Sequence, residues 1–334
     1  MKKILGLIVS MMLLVGLFTG CGGAPAKNST NTPDSTQAVV DNKTPENNAD
    51  VEEAVWPRTY VDALGREVIL EKKPERVALL FFRNFEHMFL LGEFPIAATN
   101  VNVLDEWASL TPYKGQYDIA DIGEINSPNV EKLLEADPDL IIVYSGWHDD
   151  YGAELEKIAP VIAVDSNENN WQGALRQYGE IFGKEEKAES EITRIETFIA
   201  DSRQQLEQYN DNTFGVIMLG DKQFWAFTTQ FVFNEQNGLG LNPPENYVDM
   251  SSKGEEIPLE YLATINPEYM FVADIGGSAN SLAGYLKNLE SNSVWKSLDA
   301  IKNGQMYALD SSIAAGGPLA IELGVQTIIE NIQE

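Results

Sequence analysis

The chain is poor in cysteine, histidine and basic residues, and each shortage excludes a class of function. Its 334 residues include one cysteine and two histidines. An internal disulfide is therefore impossible, and a bare-cation site built from three or more histidines is excluded. Lysine and arginine together number 23 against 51 aspartates and glutamates, which gives a formal net charge of -28. Binding to nucleic acid, or to anionic lipid through protein charge, is therefore disfavoured.

The chain also lacks an apolar run long enough for a comfortable membrane span. Lys2 and Lys3 precede an uncharged apolar stretch over 4–18, which is typical of a secretory leader. Residues 17–21 resemble the bacterial lipobox, so Cys21 is predicted to carry the lipid. Acyl chains on Cys21 would anchor the mature protein outside the cytoplasm at the bacterial cell membrane, each buried methylene contributing about 0.8 kcal/mol. An ordinary cleaved leader is the alternative.

A stretch without aromatic residues separates this leader from the rest of the chain. Residues 21–54 are rich in Asn, Thr, Pro, Asp and Ala. They cannot bury enough apolar surface to offset the entropy of ordering, so they are predicted to form a disordered tether. The remainder is long enough for two domains. The predicted segments are a lipoprotein signal peptide over 1–20, the tether over 21–54, an N-terminal α/β lobe over 55–183, an inter-lobe helix over 184–210 and a C-terminal α/β lobe over 211–334.

Strand and helix patterns alternate along the body, which is typical of α/β proteins. An Asp-x-x-Gly turn predicts a hairpin over 59–70. The longest helical pattern, over 184–209, places six apolar residues on one face. Further strands are predicted at 76–81, 95–99, 161–164, 214–219 and 305–309, and further helices at 85–91, 151–158, 171–182 and from about Leu319.

One pattern occurs twice, over 131–143 and over 260–272. Each copy predicts a short helix that ends before a proline, followed by a buried parallel strand. Two copies indicate two lobes of one design. Glu131 and Glu260 occupy the same place near the start of each helix, where the helix dipole favours a carboxylate by about 0.3–1 kcal/mol. The residues alone leave open whether these glutamates only stabilise their helices or contact a two-fold partner.

Several further segments occur in an order that resembles one family. They are 61–68 with 74–77, 122–123 leading to 128–134, 137–142, 157–160, and 294–295 followed by 302–307. The whole body is similar to the extracytoplasmic substrate-binding proteins of ABC importers for iron-siderophore complexes, haem and corrinoids, including the ferric hydroxamate binding proteins. The resemblance implies an α/β fold of two Rossmann-like lobes joined by one long rigid helix, the class III periplasmic-binding-protein fold, with a ligand cleft between the lobes.

The resemblance also implies partners. In this family a glutamate on each lobe docks onto a two-fold ABC permease, which works with its ATPase, and the matching positions here are Glu131 and Glu260. It implies a monomeric binding protein with no catalytic residue, no covalent cofactor and no direct metal ligand, whose ligand is a ferric siderophore.

Ligand contacts are expected just past the carboxyl ends of the strands, where open parallel sheets bind ligands. Aromatic residues dominate this set, and for each of them core packing is an equal alternative. Asn100 to Asn102, Asp274 and Ser311 also follow strands. The main candidates are Arg83, Trp107, Tyr144, Trp147, His148, Phe224, Trp225, Phe227 and Tyr247.

Charge narrows the ligand class. Triscatecholate complexes of iron are strongly anionic and, in the family, are held by several basic residues. Here the candidate regions offer only Arg83, Lys114 and Lys222. A ferric hydroxamate, which is neutral or cationic, is therefore favoured.

Other functions stay open. Haem is one, because His87, Met88, Tyr144 and His148 could supply axial ligands. A corrinoid is another, and a sensor would use the same cleft as an importer. The alternative from a different class is an exported enzyme that uses paired carboxylates, although no Gly-x-Ser-x-Gly motif is present.

Overall fold

The structure is a computed structural model of the chain, and it describes residues 55–165, 170–219, 224–226, 230–245, 247, 256–274 and 282–333. Of residues 147–151, 230 and 274 it describes the backbone only. The predicted leader, tether and lipidated Cys21 lie outside the described residues. Contacts separate Met1–Val51 from Glu52–Glu334, and the second unit holds every residue described.

The strands are short and most are apolar on both faces. They are β1 Arg58–Val61, β2 Glu67–Leu70, β3 Val77–Leu79, β4 Ala97–Ala98, β5 Ala120–Asp121, β6 Gly123–Glu124, β7 Ser127–Pro128, β8 Leu140–Tyr144, β9 Val161–Val164, β10 Phe214–Leu219, β11 Phe224–Ala226, β12 Tyr269–Asp274 and β13 Met306–Ala308.

The helices alternate with these strands. They are α1 Phe85–Leu90, α2 Val103–Glu106, α3 Val130–Ala136, α4 His148–Leu155, α5 Trp171–Phe182, α6 Glu185–Gln205, α7 Gln230–Phe233, α8 Leu259–Ile265, α9 Leu282–Leu289, α10 Ser293–Ser297, α11 Asp299–Lys302 and α12 Pro318–Ile332. The described residues also form five 3-10 turns, at Phe82–Asn84, Ala108–Tyr113, Ser145–Trp147, Glu207–Tyr209 and Ser311–Ala315. Among the described helices, none has both the length and the apolar character needed to cross a bilayer.

Two separate sheets define two lobes. The first has the order β5-β4-β3-β8-β9 and is parallel throughout. The second has the order β11-β10-β12-β13, and its strands are parallel except for β11 at the edge. The predicted hairpin is confirmed as the antiparallel pair β1–β2. Its turn is closed by Asp62, whose carboxylate accepts the N–H groups of Leu64 and Arg66.

The repeated pattern forms the same unit in both lobes. In the first lobe α3 leads into β8, and in the second α8 leads into β12. Each helix ends at a residue in the left-handed region, Asp137 with φ 49° and Asn266 with φ 37°. Each of these residues directly precedes a proline, which disfavours the right-handed α conformation at that position. Aspartate and asparagine tolerate the left-handed conformation better than most side chains, so the repeat encodes its own helix ends.

Some predicted bounds were wrong by a few residues, and some elements were missed. Helix α6 ends at Gln205, and a 3-10 turn replaces the predicted last helical turn up to Tyr209. Helix α4 starts at His148 rather than at Tyr151. The elements missed were α2, α7, α9 to α11, β5 to β7 and β11. Most of these are two to five residues long, too short for a periodic pattern to reveal.

One apolar core extends from the first lobe to the second. The predicted face of α6 is confirmed as buried, since Ile192, Ile195 and Ile199 belong to the same cluster as residues of β3, β10, β12 and α12. Arg194 of α6 also forms a bidentate ion pair with Glu322 of α12, at 2.6 and 2.9 Å. Because the connecting helix is packed along its length, it is a rigid connection between the lobes rather than a flexible linker.

A buried carboxylate links α1 to α12. Glu86 has no exposed surface. Its Oε1 accepts the hydroxyl of Ser109 at 2.6 Å, and its Oε2 accepts the backbone N–H of Ala320 at 2.9 Å. Burial raises the pKa of Glu86 from 4.5 to about 7, because these hydrogen bonds offset only part of the desolvation and the charge of Asp310 raises the pKa further.

The raised pKa of Glu86 predicts a pH dependence of stability. A raised folded-state pKa means that the stabilisation is complete below the unfolded-state pKa of 4.5 and is lost as the pH rises through about 7. Glu86→Gln keeps the shape of the side chain but removes its titratable carboxyl group. The free energy of unfolding, measured by urea titration at several values between about pH 5 and pH 8, should therefore fall less with pH in the variant than in the wild type. Parallel pH profiles for the two proteins would contradict this assignment.

Candidate functional site

A cavity of about 300 Å³ lies where the two lobes face each other. First-lobe residues that follow β3 and β4 form one wall, together with one residue of the β6–β7 hairpin, and residues that follow β13 in the second lobe face them. The cavity therefore lies past the carboxyl ends of parallel strands, where α/β sheets bind ligands. The lining residues are Phe82, Arg83, Asn100, Asn102, Val103, Glu106, Trp107, Glu124, Ser311, Ala314 and Ala315.

Five of the predicted ligand residues line this cavity, namely Arg83, Asn100, Asn102, Trp107 and Ser311. Arg83 belongs to the 3-10 turn Phe82–Asn84, and its guanidinium Nη1 donates to the carbonyl of Ala314 at 3.3 Å, across the lobe boundary. Trp107 lies directly after α2 and is 5% exposed. Its ring centroid is 5.9 Å from that of Phe82, so the two rings form one aromatic wall.

Asparagines hold two carboxylates at the same cavity. Asn100 has φ 53° and accepts the N–H of Ile125 at 2.8 Å, while its amide donates to Glu124. Asn102 likewise donates to the carboxylate of Glu106, at 3.2 Å. The described lining therefore presents one guanidinium and two carboxylates to a ligand.

The other described aromatic candidates pack against core residues and do not line this cavity. Tyr144 follows β8 and stacks on Phe81, with ring centroids 5.0 Å apart. Phe224 stacks on Trp295 at 6.4 Å. Trp225 is half-buried against the large core. Tyr247 donates to the carbonyl of Val216 at 2.7 Å and contacts the ring of Phe233.

Several candidates fall where the structure gives no side chain. Phe227 and Lys222 lie outside the described residues. Trp147 and His148 are described by their backbone alone, in the 3-10 turn Ser145–Trp147 and at the start of α4, and so is Asp274 at the end of β12. The roles of these residues stay predictions.

The structure weakens the haem alternative. His87 is 3% exposed and stacks on Tyr178, with ring centroids 5.8 Å apart. Burial lowers the pKa of His87 to about 3, so the imidazole is neutral. Met88 is fully buried beside it in the first-lobe core. Neither residue is exposed to the cavity. Within the described part of the chain, no group of three His, Cys, Asp or Glu could hold a metal ion.

Six lining residues were missed from the sequence. Phe82 and Glu106 adjoin the predicted Arg83 and Trp107, so sequence proximity was a usable signal. Val103 lies at the start of α2. Glu124 reaches the cavity through the β6–β7 hairpin and its bond to Asn100. Ala314 and Ala315 lie in the 3-10 turn after β13. An alanine gives no indication of a binding role in the sequence.

The paired glutamates lie elsewhere. Glu131 is in the first turn of α3 and Glu260 in the first turn of α8, at equivalent points of the repeat. Both side chains are exposed, and neither lines the cavity. Glu131 and Glu260, the pair that the exported-enzyme alternative would use, are therefore not at the described cavity.

Comparison with known proteins agrees with this geometry. A family model described as periplasmic binding protein matches residues 77–313. The chain is 30% identical over 274 residues to the petrobactin-binding protein YclQ of Bacillus subtilis, a match that covers 79% of this chain and 84% of YclQ. It is 27% identical over 349 residues to the iron(3+)-hydroxamate-binding protein YxeB of the same organism, which covers 99% of this chain and 97% of YxeB.

Solved structures share the fold. The crystal structure of YclQ matches with a TM-score of 0.70 and 25% identity, covering 84% of this chain and all of that one. The triscatecholate siderophore binding protein FeuA of Bacillus subtilis, complexed with ferri-bacillibactin, matches with a TM-score of 0.68 and 22% identity, covering 83% and 98%. The predicted class III fold, with two α/β lobes and one long linking helix, is confirmed. The chain belongs to the periplasmic binding protein family, and it is a substrate-binding protein, not an enzyme.

Proposed function

We propose that the protein captures a ferric siderophore, preferentially of the hydroxamate type, in the cavity between its lobes and delivers it to an ABC permease for iron uptake. The observation that carries this proposal is the cavity itself, which both lobes line past the carboxyl ends of their strands. The relatives support it, since their names assign them petrobactin or iron(3+) hydroxamates. Haem and corrinoids are carried by the same import family and are the alternatives.

The charges of the described lining favour the hydroxamate class over the triscatecholate class. Arg83 is the one cationic side chain among the described lining residues, and Glu106 and Glu124 carry the opposite charge. Carboxylates in a partly enclosed cavity repel an anionic ligand more strongly than they would in bulk water. A neutral or cationic ferric hydroxamate avoids that repulsion.

The aromatic wall suits the organic shell of such a chelate. Phe82 and Trp107 present adjoining rings. Aromatic contacts contribute about 0.5–1.5 kcal/mol each beyond the burial of their area. Arg83 can meet the hydroxamate oxygens, because a guanidinium donates to oxygen acceptors in a fixed geometry.

We also propose that Glu131 and Glu260 dock the protein onto the two-fold permease. Their equivalent places in the repeat and their exposure support this role. Each carboxylate lies at the start of a short helix whose far end leads into a central strand, so the docking residues are held by the sheets of their own lobes.

We further propose that the mature chain is held at the cell membrane by a lipid on Cys21, through the tether 21–54. It works as a monomer whose lobes, 55–183 and 211–334, are joined by the helix region 184–210.

Ligand affinity is tested by tryptophan fluorescence quenching with a ferric trishydroxamate, a ferric triscatecholate, haem and cobalamin. The trishydroxamate should bind most tightly. Arg83→Ala should weaken its binding by about ten-fold or more, because hydrogen bonds to a charged donor are lost. The control is Arg176→Ala. It removes an exposed arginine of α5 that pairs with Glu189 of α6, and it should leave the affinity unchanged.

A double variant tests the effect of the cavity carboxylates in the same fluorescence assay. Glu106→Gln combined with Glu124→Gln should raise the affinity for the triscatecholate while changing the affinity for the trishydroxamate little. Tight binding of the triscatecholate alone by the wild type would overturn the hydroxamate assignment, and no response to the whole panel would overturn capture of a chelate.

Docking is tested by separating uptake from affinity. Glu131→Ala and Glu260→Ala should together abolish uptake of the ferric chelate by cells, because each lobe loses its charged contact with the permease. The affinity of the purified variant should equal that of the wild type. Glu135→Ala removes another exposed carboxylate of α3 and should leave uptake intact. A loss of affinity in the double variant would place these carboxylates in the ligand site instead.

A further inference from the structure

Glu86 lies behind the ligand cavity, at the point where three parts of its wall meet. It is fully buried in α1 and does not line the cavity. Three residues before it in the chain, Arg83 contributes its guanidinium to the cavity. Glu86 therefore belongs to the segment that carries Arg83 and Phe82, and its two oxygens reach the other two segments.

The first of these bonds fixes the segment that carries the aromatic wall. Ser109, which donates to Glu86 Oε1 at 2.6 Å, comes two residues after Trp107. The residue between them, Ala108, donates its N–H to Asp310 Oδ1 at 3.1 Å. Asp310 in turn caps the 3-10 turn Ser311–Ala315, which forms the second-lobe wall.

The second bond fixes the start of α12. Ala320 donates its N–H to Glu86 Oε2 at 2.9 Å, and α12 follows directly after the turn Ser311–Ala315. A Cβ on Gly317 would collide with the Glu86 carboxylate unless that side chain moved, so the glycine permits this close approach. The first N–H groups of a helix have no partner within the helix, and Glu86 accepts the one of Ala320, the third residue of α12.

We propose that Glu86 is a positioning residue for the ligand cavity: through Ser109 and Ala320 it sets the spacing of Arg83, Trp107 and the turn Ser311–Ala315. Only the choice of ligand in its test rests on the proposed function. The two hydrogen bonds of Glu86 to Ser109 and Ala320 are buried, and the second joins the two lobes. Buried hydrogen bonds fix geometry more strictly than apolar contacts do. Removing the carboxylate leaves two buried donors without an acceptor, so the walls shift to find new partners.

Three variants separate positioning from general stability. Glu86→Ala removes both bonds. Glu86→Gln can keep both, because its carbonyl accepts from Ala320 while its amide donates to the Ser109 hydroxyl. Glu93→Ala is the matched control, since it removes a carboxylate just past the other end of α1 that pairs with Lys73 and Lys184, away from the cavity.

The first measurement needs no ligand. Backbone hydrogen exchange in Glu86→Ala should accelerate in the segments 107–113 and 311–321, while the first-lobe strands β8 and β9 keep their wild-type protection. Glu86→Gln should exchange like the wild type. Glu93→Ala should leave both segments protected. Uniform acceleration over the whole body in Glu86→Ala would show a purely structural role and would overturn the proposal.

The second measurement is the affinity for a ferric trishydroxamate. Glu86→Ala should bind about ten-fold more weakly or worse, and Glu86→Gln within about two-fold of the wild type. Glu93→Ala should bind like the wild type even where its stability falls. Wild-type affinity in Glu86→Ala, or an equal loss in Glu93→Ala, would contradict positioning by Glu86.

Two further outcomes are possible: the wild type binds no chelate, or Glu86→Ala does not fold. If the wild type binds no chelate, the proposed function fails, while the exchange pattern still decides whether Glu86 positions the two walls. If Glu86→Ala does not fold, Ser109→Ala removes one of the two bonds and should accelerate exchange in 107–113. Unchanged exchange in Ser109→Ala would then overturn the proposal.

Discussion

The packing of α6 against both lobes is the constraint on which the rest of the structure depends. Its buried isoleucines belong to one apolar cluster with strands of both sheets and with α12. A connector packed in this way cannot bend at one point without exposing apolar surface, at about 25 cal/mol per Å². The lobes are therefore held at a defined separation, which sets the width of the cavity between them.

Hydrogen bonds across the lobe boundary fix the positions of the cavity walls, which the apolar core alone places only approximately. Arg83 bonds to Ala314, Ala108 bonds to Asp310, and Glu86 joins α1 to the start of α12. Each contact crosses from a first-lobe segment to the chain that follows β13. A cavity with walls fixed in this way loses little entropy when a bulky, rigid chelate enters, which favours affinity through preorganisation.

The sequence reveals the fold more fully than the site. The repeat predicts α3, β8, α8 and β12, because proline and apolar periodicity act locally. Arg83 is found because it follows β3, and Trp107 because it is an aromatic residue in the segment after β4. The hydrogen bonds of Glu86 cannot be found from the sequence. Ser109 is 23 residues and Ala320 is 234 residues away from Glu86 in the chain, and a buried glutamate leaves no pattern in the sequence. Glu124 and Ala314 likewise reach the cavity only through tertiary contacts.

The most direct test of the stiff connection is the distance between the lobes. Nitroxide labels at Glu135→Cys and Thr264→Cys occupy equivalent, exposed places in the two repeats, and Cys21→Ser removes the chain's single native cysteine. Pulsed electron resonance would compare the free protein with its complex with the diamagnetic gallium(III) trishydroxamate. A stiff connecting helix should give one narrow distance peak that barely moves on binding. A broad or double peak that collapses to a much shorter distance with ligand would contradict it.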